Sequence, residues 1–191
     1  MKNIFIIGML LCFGHISCGG NSAEEGNNET SVNDSLPLNF EDMQAFSFVN
    51  YGLDMQVMLP QVQSATGNSI EPKVAHDEGD YLWFLTIGPR FNLIIEDYGK
   101  EQNKVAAEKK RLEELQDIFE IEFLIEDTDV IMYKRTLHEG KGGSTTYHCY
   151  GETTIDGYTY VLRSDEDGTY KLIVEDMVRT IKSAAPINID A

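Results

Sequence analysis

Basic residues are scarce in this chain. Its 191 residues include 15 Lys and Arg against 32 Asp and Glu, which gives a formal net charge of −17 at pH 7. A nucleic-acid-binding surface needs clustered Lys and Arg to displace counterions from phosphates. No stretch of this chain concentrates basic residues without as many acids nearby. We therefore expect no nucleic acid as a partner.

Long apolar runs are also lacking. The apolar run over residues 4–13 (IFIIGMLLCF) has ten residues, and a ten-residue helix rises about 15 Å, half of the roughly 30 Å hydrocarbon core of a bilayer. The run is too short for a membrane-spanning helix. It follows the positively charged start Met1-Lys2-Asn3, and this order is typical of a cleaved signal peptide, which we place at residues 1–17.

Cysteines are few, and one of them follows the apolar run closely. The segment Ile16-Ser17-Cys18-Gly19 resembles the lipobox of bacterial lipoproteins, although that family usually has Leu where this chain has His15. The resemblance implies that Cys18 is acylated and becomes the first residue of the mature protein. Cys12 follows bulky Leu11 and fits less well. The alternative is an ordinary secretory cleavage that leaves Cys18 unmodified.

Residues 18–39 have the composition of a tether. Gly, Asn, Ser and Glu dominate there, and such a segment cannot bury enough apolar surface to order itself. Two or three acyl chains hold a protein on a membrane essentially permanently, whereas anionic lipid repels an acidic domain. The lipoprotein resemblance implies membrane attachment through the N-terminal lipid. Because Gly19 replaces the Asp that retains many Gram-negative lipoproteins at the inner membrane, we expect the outer membrane, on either its periplasmic or its surface face.

The folded part of the chain is predicted as one domain over residues 40–186, with a tail over residues 187–191. Alternating apolar and polar residues predict strands at 46–50, 54–59, 81–87, 92–97, 120–125, 130–137, 145–154 and 158–163. Apolar residues at helical spacing predict amphipathic helices at 100–118 and 170–184, the second ended by Pro186. The sequence therefore predicts an α+β domain, with a mainly antiparallel sheet of about six to eight strands packed against two amphipathic helices on one or both faces.

This order of elements resembles a known fold. The opening hairpin over residues 48–60 (FVNYGLDMQVMLP), the long middle helix, the run of antiparallel strands and the closing helix with residues 177–182 (MVRTIK) are similar to the Mog1/PsbP-like fold. The resemblance covers roughly residues 45–184. That family often has Trp shortly after the proline of its second strand, where this chain has Gln61-Val62. The resemblance implies a non-catalytic scaffold that docks on a larger assembly.

Motifs for catalysis are absent from the sequence. It contains no Gly-x-Ser-x-Gly elbow, no phosphate-binding loop and no His-Glu-x-x-His helix, so we expect neither an enzyme nor a cofactor. His138 and His148 flank a glycine-rich turn and, with Cys149 or Glu152, suggest a transition-metal site. Adjacent strand residues point to opposite faces, however. This favours exposed histidines and a buried, unpaired Cys149.

The acidic run Asp165-Glu166-Asp167-Gly168 permits two interpretations. It superficially resembles a calcium-binding loop, but the glycine falls at the fourth position of the run and not at the sixth. A polar turn explains the same residues, with Asp167 or Thr169 as the N-cap of the second helix.

Aromatic residues on the predicted strands suggest a recognition surface. We expect Tyr81 and Trp83 to contribute to it, with Arg90 in the following turn as a polar anchor. Further strand tyrosines are Tyr133, Tyr147, Tyr150, Tyr158 and Tyr160. Core packing is the alternative for all of them. The function predicted from the sequence is an acylated cell-envelope lipoprotein whose domain binds or scaffolds another envelope protein; the alternative is a small-molecule or calcium-binding module.

Overall fold

The structure is a computed structural model and describes residues 38–138 and 143–187. The strands are β1 Met43–Ser47, β2 Met55–Pro60, β3 Lys73–Ala75, β4 Leu82–Ile87, β5 Phe91–Asp97, β6 Phe119–Glu126, β7 Val130–Leu137, β8 Thr146–Ile155, β9 Tyr158–Ser164 and β10 Ala185–Pro186. The helices are α1 Lys104–Glu114 and α2 Lys171–Lys182, and a 3-10 turn covers Val49–Tyr51. The predicted signal peptide, Cys18, most of the tether and the end of the tail lie outside the described residues.

The prediction of an α+β fold is confirmed. Seven strands form one antiparallel sheet in the order β3-β4-β5-β9-β8-β7-β6. The opening hairpin does not belong to it, because β1 and β2 form a separate antiparallel sheet with β10. Strands β3 and β10 are additional to those predicted. They have three and two residues, too few for alternation to be recognised.

The two helices cover opposite faces of the seven-stranded sheet. Consecutive residues of β7 show this, since Val130 and Met132 pack in the main core with α2, whereas Ile131 and Tyr133 pack in a smaller cluster with α1. A register shift in β6 between Phe123 and Ile125 moves that strand's apolar side chains from the α1 cluster to the main core. Each face of the sheet therefore has its own helix.

The main core lies between α2, the small sheet and the seven-stranded sheet. Its fully buried members include Met55 and Leu59 of β2 and Val174 and Val178 of α2. Burial of each such side chain contributes about 1.5–3 kcal/mol. The packing is close where α2 crosses β8, because a Cβ added to Gly151 would lie 2.5 Å from Cγ2 of Ile181.

The ends of α2 differ from those predicted. Its N-cap is Tyr170, which makes no side-chain capping bond, so neither Asp167 nor Thr169 caps it. It ends at Lys182, before Pro186, because the Ser183 hydroxyl donates to the Thr180 carbonyl and accepts the Met58 N–H at 2.7 Å. The chain then continues into β10 and pairs with β2.

Helix α1 is shorter than predicted and is capped from another strand. The Asn103 N-cap has φ of +62° and makes no side-chain capping bond. Instead the Glu152 carboxylate of β8 accepts the backbone N–H groups of Lys104 and Val105. A carboxylate at a helix N-terminus satisfies free N–H groups and interacts favourably with the helix dipole. This contact fixes where α1 lies across the sheet.

Candidate functional site

The three residues predicted to form a recognition surface do not come together. Trp83 is 5% exposed, and its indole N–H donates to the Tyr51 carbonyl at 2.7 Å. Tyr81 is 69% exposed just before β4, whereas Arg90 lies in the turn after it. The six residues of β4 separate these ends by about 20 Å. The Arg90 guanidinium instead stacks over the Tyr170 ring, 4.4 Å from its centre.

The two histidines that suggested a metal site also lie apart. His148 pairs with Tyr133 in the β7–β8 register, whereas His138 follows the end of β7 and donates to the Gln116 carbonyl at 2.7 Å. Cys149 faces the main core and has no disulfide partner in the part of the chain that the structure describes, and burial raises the pKa of its thiol to about 12. Among residues 38–138 and 143–187, no group of His, Cys, Asp and Glu is arranged to hold a metal ion.

The acidic run forms a tight turn between β9 and α2. One Asp165 carboxylate oxygen accepts the Gly168 N–H at 2.9 Å, and the other accepts the side-chain amide of Asn92 at 3.2 Å. Gly168 has φ of +67° and lies against the His148 ring. Both carboxylate oxygens of Asp165 thus accept hydrogen bonds that hold the turn together and fix it to β5.

Beside α1, the helix and the sheet border a half-open polar cavity of about 360 Å³. It lies on the side of the sheet opposite the main core, where α1 covers β6, β7 and β8. Its charged, histidine and tyrosine lining residues are Glu96, Tyr98, Glu108, Arg111, Tyr133, Arg135, His148, Tyr150, Arg163, Asp165 and Glu166. A cavity of this size is at the lower end of the range for small-molecule sites.

Two arginine–glutamate pairs fix part of this lining. Arg163 of β9 donates its Nε to Glu96 of β5 at 2.7 Å, and a second guanidinium nitrogen lies 2.6 Å from the same carboxylate oxygen. Arg111 donates two N–H groups to Glu108, one turn earlier on α1, at 2.6 and 2.7 Å. The bond to Glu108 raises the pKa of Arg111. Paired hydrogen bonds of this kind fix the geometry of both side-chain pairs.

Arg135 of β7 differs from these two arginines. It donates to the backbone carbonyl of Glu166 at 2.6 Å and stacks over the Phe119 ring, 4.7 Å from its centre. Within the part of the chain that the structure describes, it makes no ion pair with a carboxylate. Arg135 is therefore the one arginine of the cavity whose guanidinium has no carboxylate of the described residues within salt-bridge distance.

Of the neutral groups of the cavity, His148 and Tyr133 are buried and Tyr150 is half-buried. The His148 ring is 2% exposed, stacks on Tyr133 with ring centres 5.2 Å apart, and shares a hydrogen bond with the Thr146 hydroxyl at 2.8 Å. Burial, assisted by the nearby Arg135 charge, lowers the pKa of His148 to about 4. Burial also raises the pKa values of Tyr133 and Tyr150. At neutral pH all three side chains are uncharged.

Beyond the cavity, the same side of the sheet carries an uncovered strip. Phe84, Ile94, Arg163 and Tyr150 lie directly opposite one another across β4, β5, β9 and β8, so their side chains share one face. We call Phe84, Ile94 and Arg163 the open strip. Phe84 is 43% exposed and Ile94 is half-buried. The apolar side chains of Phe84 and Ile94 therefore lie next to the ion pair of Arg163 and Glu96, at the edge of the cavity.

Most of this site could not be identified from the sequence. Of the lining residues named above, the sequence singles out Tyr133, Tyr150, His148, Asp165 and Glu166, each for another role. The three arginines come from α1, β7 and β9 and carry no shared motif. One signal was present. In a chain with 32 acidic residues, an arginine in the middle of a predicted strand is unusual, since strands that are half-buried rarely accept an unpaired charge.

The sequence matches no protein-family profile and no curated protein at a significant level. In the described part of the chain, neither helix is long and apolar enough to cross a membrane. The site's geometry therefore carries the functional argument.

Proposed function

We propose that this chain is a lipid-anchored cell-envelope lipoprotein whose folded domain is a non-catalytic module that binds another envelope protein through the open strip. The anchor is Cys18, acylated after cleavage of residues 1–17, and residues 18–39 serve as the tether. The outer membrane is the membrane that this anchor enters. The Mog1/PsbP-like resemblance agrees with a docking role.

The observation that carries the docking proposal is the exposure of Phe84. It lies in the middle of β4 and remains 43% exposed beside half-buried Ile94. Arg163 extends the same row, held in place by Glu96. Aromatic residues and arginines are enriched at protein interfaces, and a few of them supply most of the binding free energy. A pre-oriented arginine next to an exposed aromatic ring fits such an interface.

A binding role also agrees with the state of the ionisable groups. In the cavity, Glu96 is paired with Arg163 and Glu108 with Arg111, and His148 is neutral and hydrogen-bonded. Cys149 lies on the other face of the sheet with its thiol pKa raised. A general base or nucleophile needs a pKa near the working pH, and burial moves the pKa values of His148 and Cys149 away from it.

Site-specific photo-crosslinking in membranes tests the docking surface. A photo-reactive amino acid at position 84 is expected to yield a defined crosslinked protein, whereas the same probe at position 158, where Tyr158 is 46% exposed at the β8–β9 turn, serves as the matched control. Phe84→Ser should abolish co-purification of that protein, and Tyr158→Ser should not. Equal capture from both positions contradicts docking at the open strip.

Intact-mass analysis tests the anchor separately. The mature wild type should carry the mass of acyl chains on Cys18, and Cys18→Ala should lack it and leave the membrane fraction. A wild-type N-terminus without acyl chains contradicts the lipid anchor but leaves the docking surface to its own test.

The cavity favours one second candidate, the binding of a small molecule. Calcium receives no such support, because the oxygens of Asp165 already accept hydrogen bonds from Gly168 and Asn92.

A further inference from the structure

The two edges of the seven-stranded sheet differ in length. One edge is β3, which has three residues, and the other is β6, which has eight. Between Glu120 and Glu126, no described residue outside β7 makes a backbone–backbone hydrogen bond with this strand. Every second residue of an antiparallel edge strand points its N–H and C=O groups away from its neighbour. Strand β6 therefore carries a row of main-chain donors and acceptors with which another strand can pair.

The first part of β6 is the regular part. Its register with β7 is unbroken from Phe119 to Phe123 and shifts before Ile125. These five residues of strand span about 17 Å, whereas a bulge bends a strand and interrupts regular pairing. We therefore expect an added strand to pair along residues 119–123, which we call the β6 edge.

The side chains of the β6 edge alternate between acidic and apolar. Glu120 and Glu122 are exposed on one face, where Glu122 pairs with Lys134 of β7 at 2.6 Å and Glu120 has no ion pair among the described residues. Ile121 and Phe123 are half-buried on the other face, against the α1 cluster. Side chains directly opposite one another on neighbouring strands share a face and interact. A strand that fits this edge therefore presents basic and apolar residues in alternation.

Charge decides against the two occupants that this chain itself could supply. Two copies of β6 paired antiparallel would bring the Glu120 and Glu122 side chains of both copies together on one face, on chains that each carry a net charge of −17. Like charges opposite one another destabilise a sheet. The tether over residues 18–39 contains four acidic residues and no Lys or Arg. Since neither segment can neutralise the two glutamates, the occupant that fits is a basic segment of another protein.

We propose that the β6 edge accepts an extended segment of a partner protein in which Lys or Arg alternates with apolar residues, and that this segment adds an eighth strand to the sheet. Main-chain hydrogen bonds hold such an added strand, and its alternate side chains give the specificity. Its basic side chains pair with Glu120 and Glu122, and its apolar side chains contact Ile121 and Phe123. The open strip lies on β4, β5 and β9, so the β6 edge is a second surface with a test of its own.

Titration of the full chain, purified in detergent, with a synthetic peptide in which Arg alternates with Val tests this proposal. The control peptide has the same composition, with its Arg residues in one block and its Val residues in another, so that the acidic chain attracts both equally. We expect saturable binding of the alternating peptide, about tenfold or more tighter than that of the block peptide, and slower hydrogen exchange at the β6 edge of the bound chain. No saturable binding, equal affinity for the two peptides, or slower exchange only in other strands overturns the proposal.

Charge reversal connects the binding to β6. The double variant Glu120→Lys, Glu122→Lys should weaken binding of the alternating Arg–Val peptide about tenfold or more and should bind an alternating Glu–Val peptide instead. The double variant Asp77→Lys, Glu78→Lys changes the net charge equally and is the matched control, since these exposed residues follow β3 at the opposite edge of the sheet. If the first double variant fails to fold, Glu120→Lys alone, which breaks no ion pair of the described residues, should weaken binding about threefold or more. Unchanged affinity in the folded Glu120 variants, or an equal loss in the control, overturns the site.

Discussion

The turn after β9 depends on glycine at position 168, and Gly168→Ala tests why. The residue has φ of +67°, and a Cβ there would lie 2.5 Å from Cε1 and 2.6 Å from Nε2 of His148. It would also lie 2.8 Å from the Tyr147 carbonyl oxygen. Neither neighbour can move freely, because His148 is buried and the Tyr147 carbonyl accepts the Thr169 N–H at 3.0 Å.

The loss of stability expected for Gly168→Ala has two parts, and the same substitution at Gly99 measures one of them alone. The left-handed backbone costs an alanine about 1–2 kcal/mol, and overpacking against a fixed neighbour costs about 1–3 kcal/mol more. Gly99 has φ of +61°, and a Cβ added there would meet nothing within 4 Å. Gly99→Ala should therefore cost only the backbone part, about 1–2 kcal/mol, whereas Gly168→Ala should cost about 2–5 kcal/mol. The unfolded-state effect of alanine is common to both variants and cancels.

Urea denaturation followed by circular dichroism measures the two free energies of unfolding. We expect Gly168→Ala to lose at least about 1 kcal/mol more than Gly99→Ala, the lower limit of the overpacking cost. If the two variants lose the same stability, the collision with His148 is not present and the described fit of the turn against the cavity wall is refuted.

Three further predictions concern buried side chains. Trp83→Phe should lower the free energy of unfolding, measured by urea denaturation, by about 1–3 kcal/mol because it leaves the Tyr51 carbonyl without its hydrogen-bond donor. An equal loss of stability in the exposed-site control Tyr81→Phe contradicts this. Cys149, with its thiol pKa raised to about 12, is about 10⁻⁴ thiolate at pH 8. In a chain whose other two cysteines are replaced by serine, a thiol reagent should label Cys149 only as fast as the whole domain unfolds. Rapid labelling of the folded chain contradicts the burial of this thiol. Because the pKa of His148 is about 4 when folded and about 6.5 when unfolded, the unfolded chain takes up the proton first as pH falls. Between pH 6.5 and 4, the free energy of unfolding of the wild type should therefore fall by up to about 3 kcal/mol more than that of His148→Asn. If the free energies of unfolding of the two proteins depend on pH in the same way, the buried, neutral His148 is contradicted.

Long, regular elements were predictable because their side-chain periods are strong. The predicted strand at 130–137 coincides with β7, and the predicted helix at 170–184 contains α2. Helix α1 was predicted too long at both ends. Its start depends on Glu152, which lies 48 residues from Lys104, and local reasoning cannot supply a cap that comes from another strand.

The candidate site was less predictable than the fold. For Trp83 the sequence left a recognition surface and core packing as alternatives, and the side chain packs in the main core, where its N–H donates to the Tyr51 carbonyl. Alternation along β4 shows that Trp83 and Phe84 face opposite ways. It does not show which way is outward, and here Phe84 is the exposed one.

The sequence by itself determined the classes of element, the sign of the net charge and the antiparallel hairpins, since periodicity, composition and turn residues are local properties. Only the tertiary structure decided which face of the sheet each helix covers, that the opening hairpin forms a separate sheet, and that Arg111, Arg135 and Arg163 line one cavity. The physical reason is that these three arginines meet only when α1 is fixed across β8 and the strands β7, β8 and β9 pair in register. A period of two residues is the same on both faces of a strand, so packing alone chooses between them.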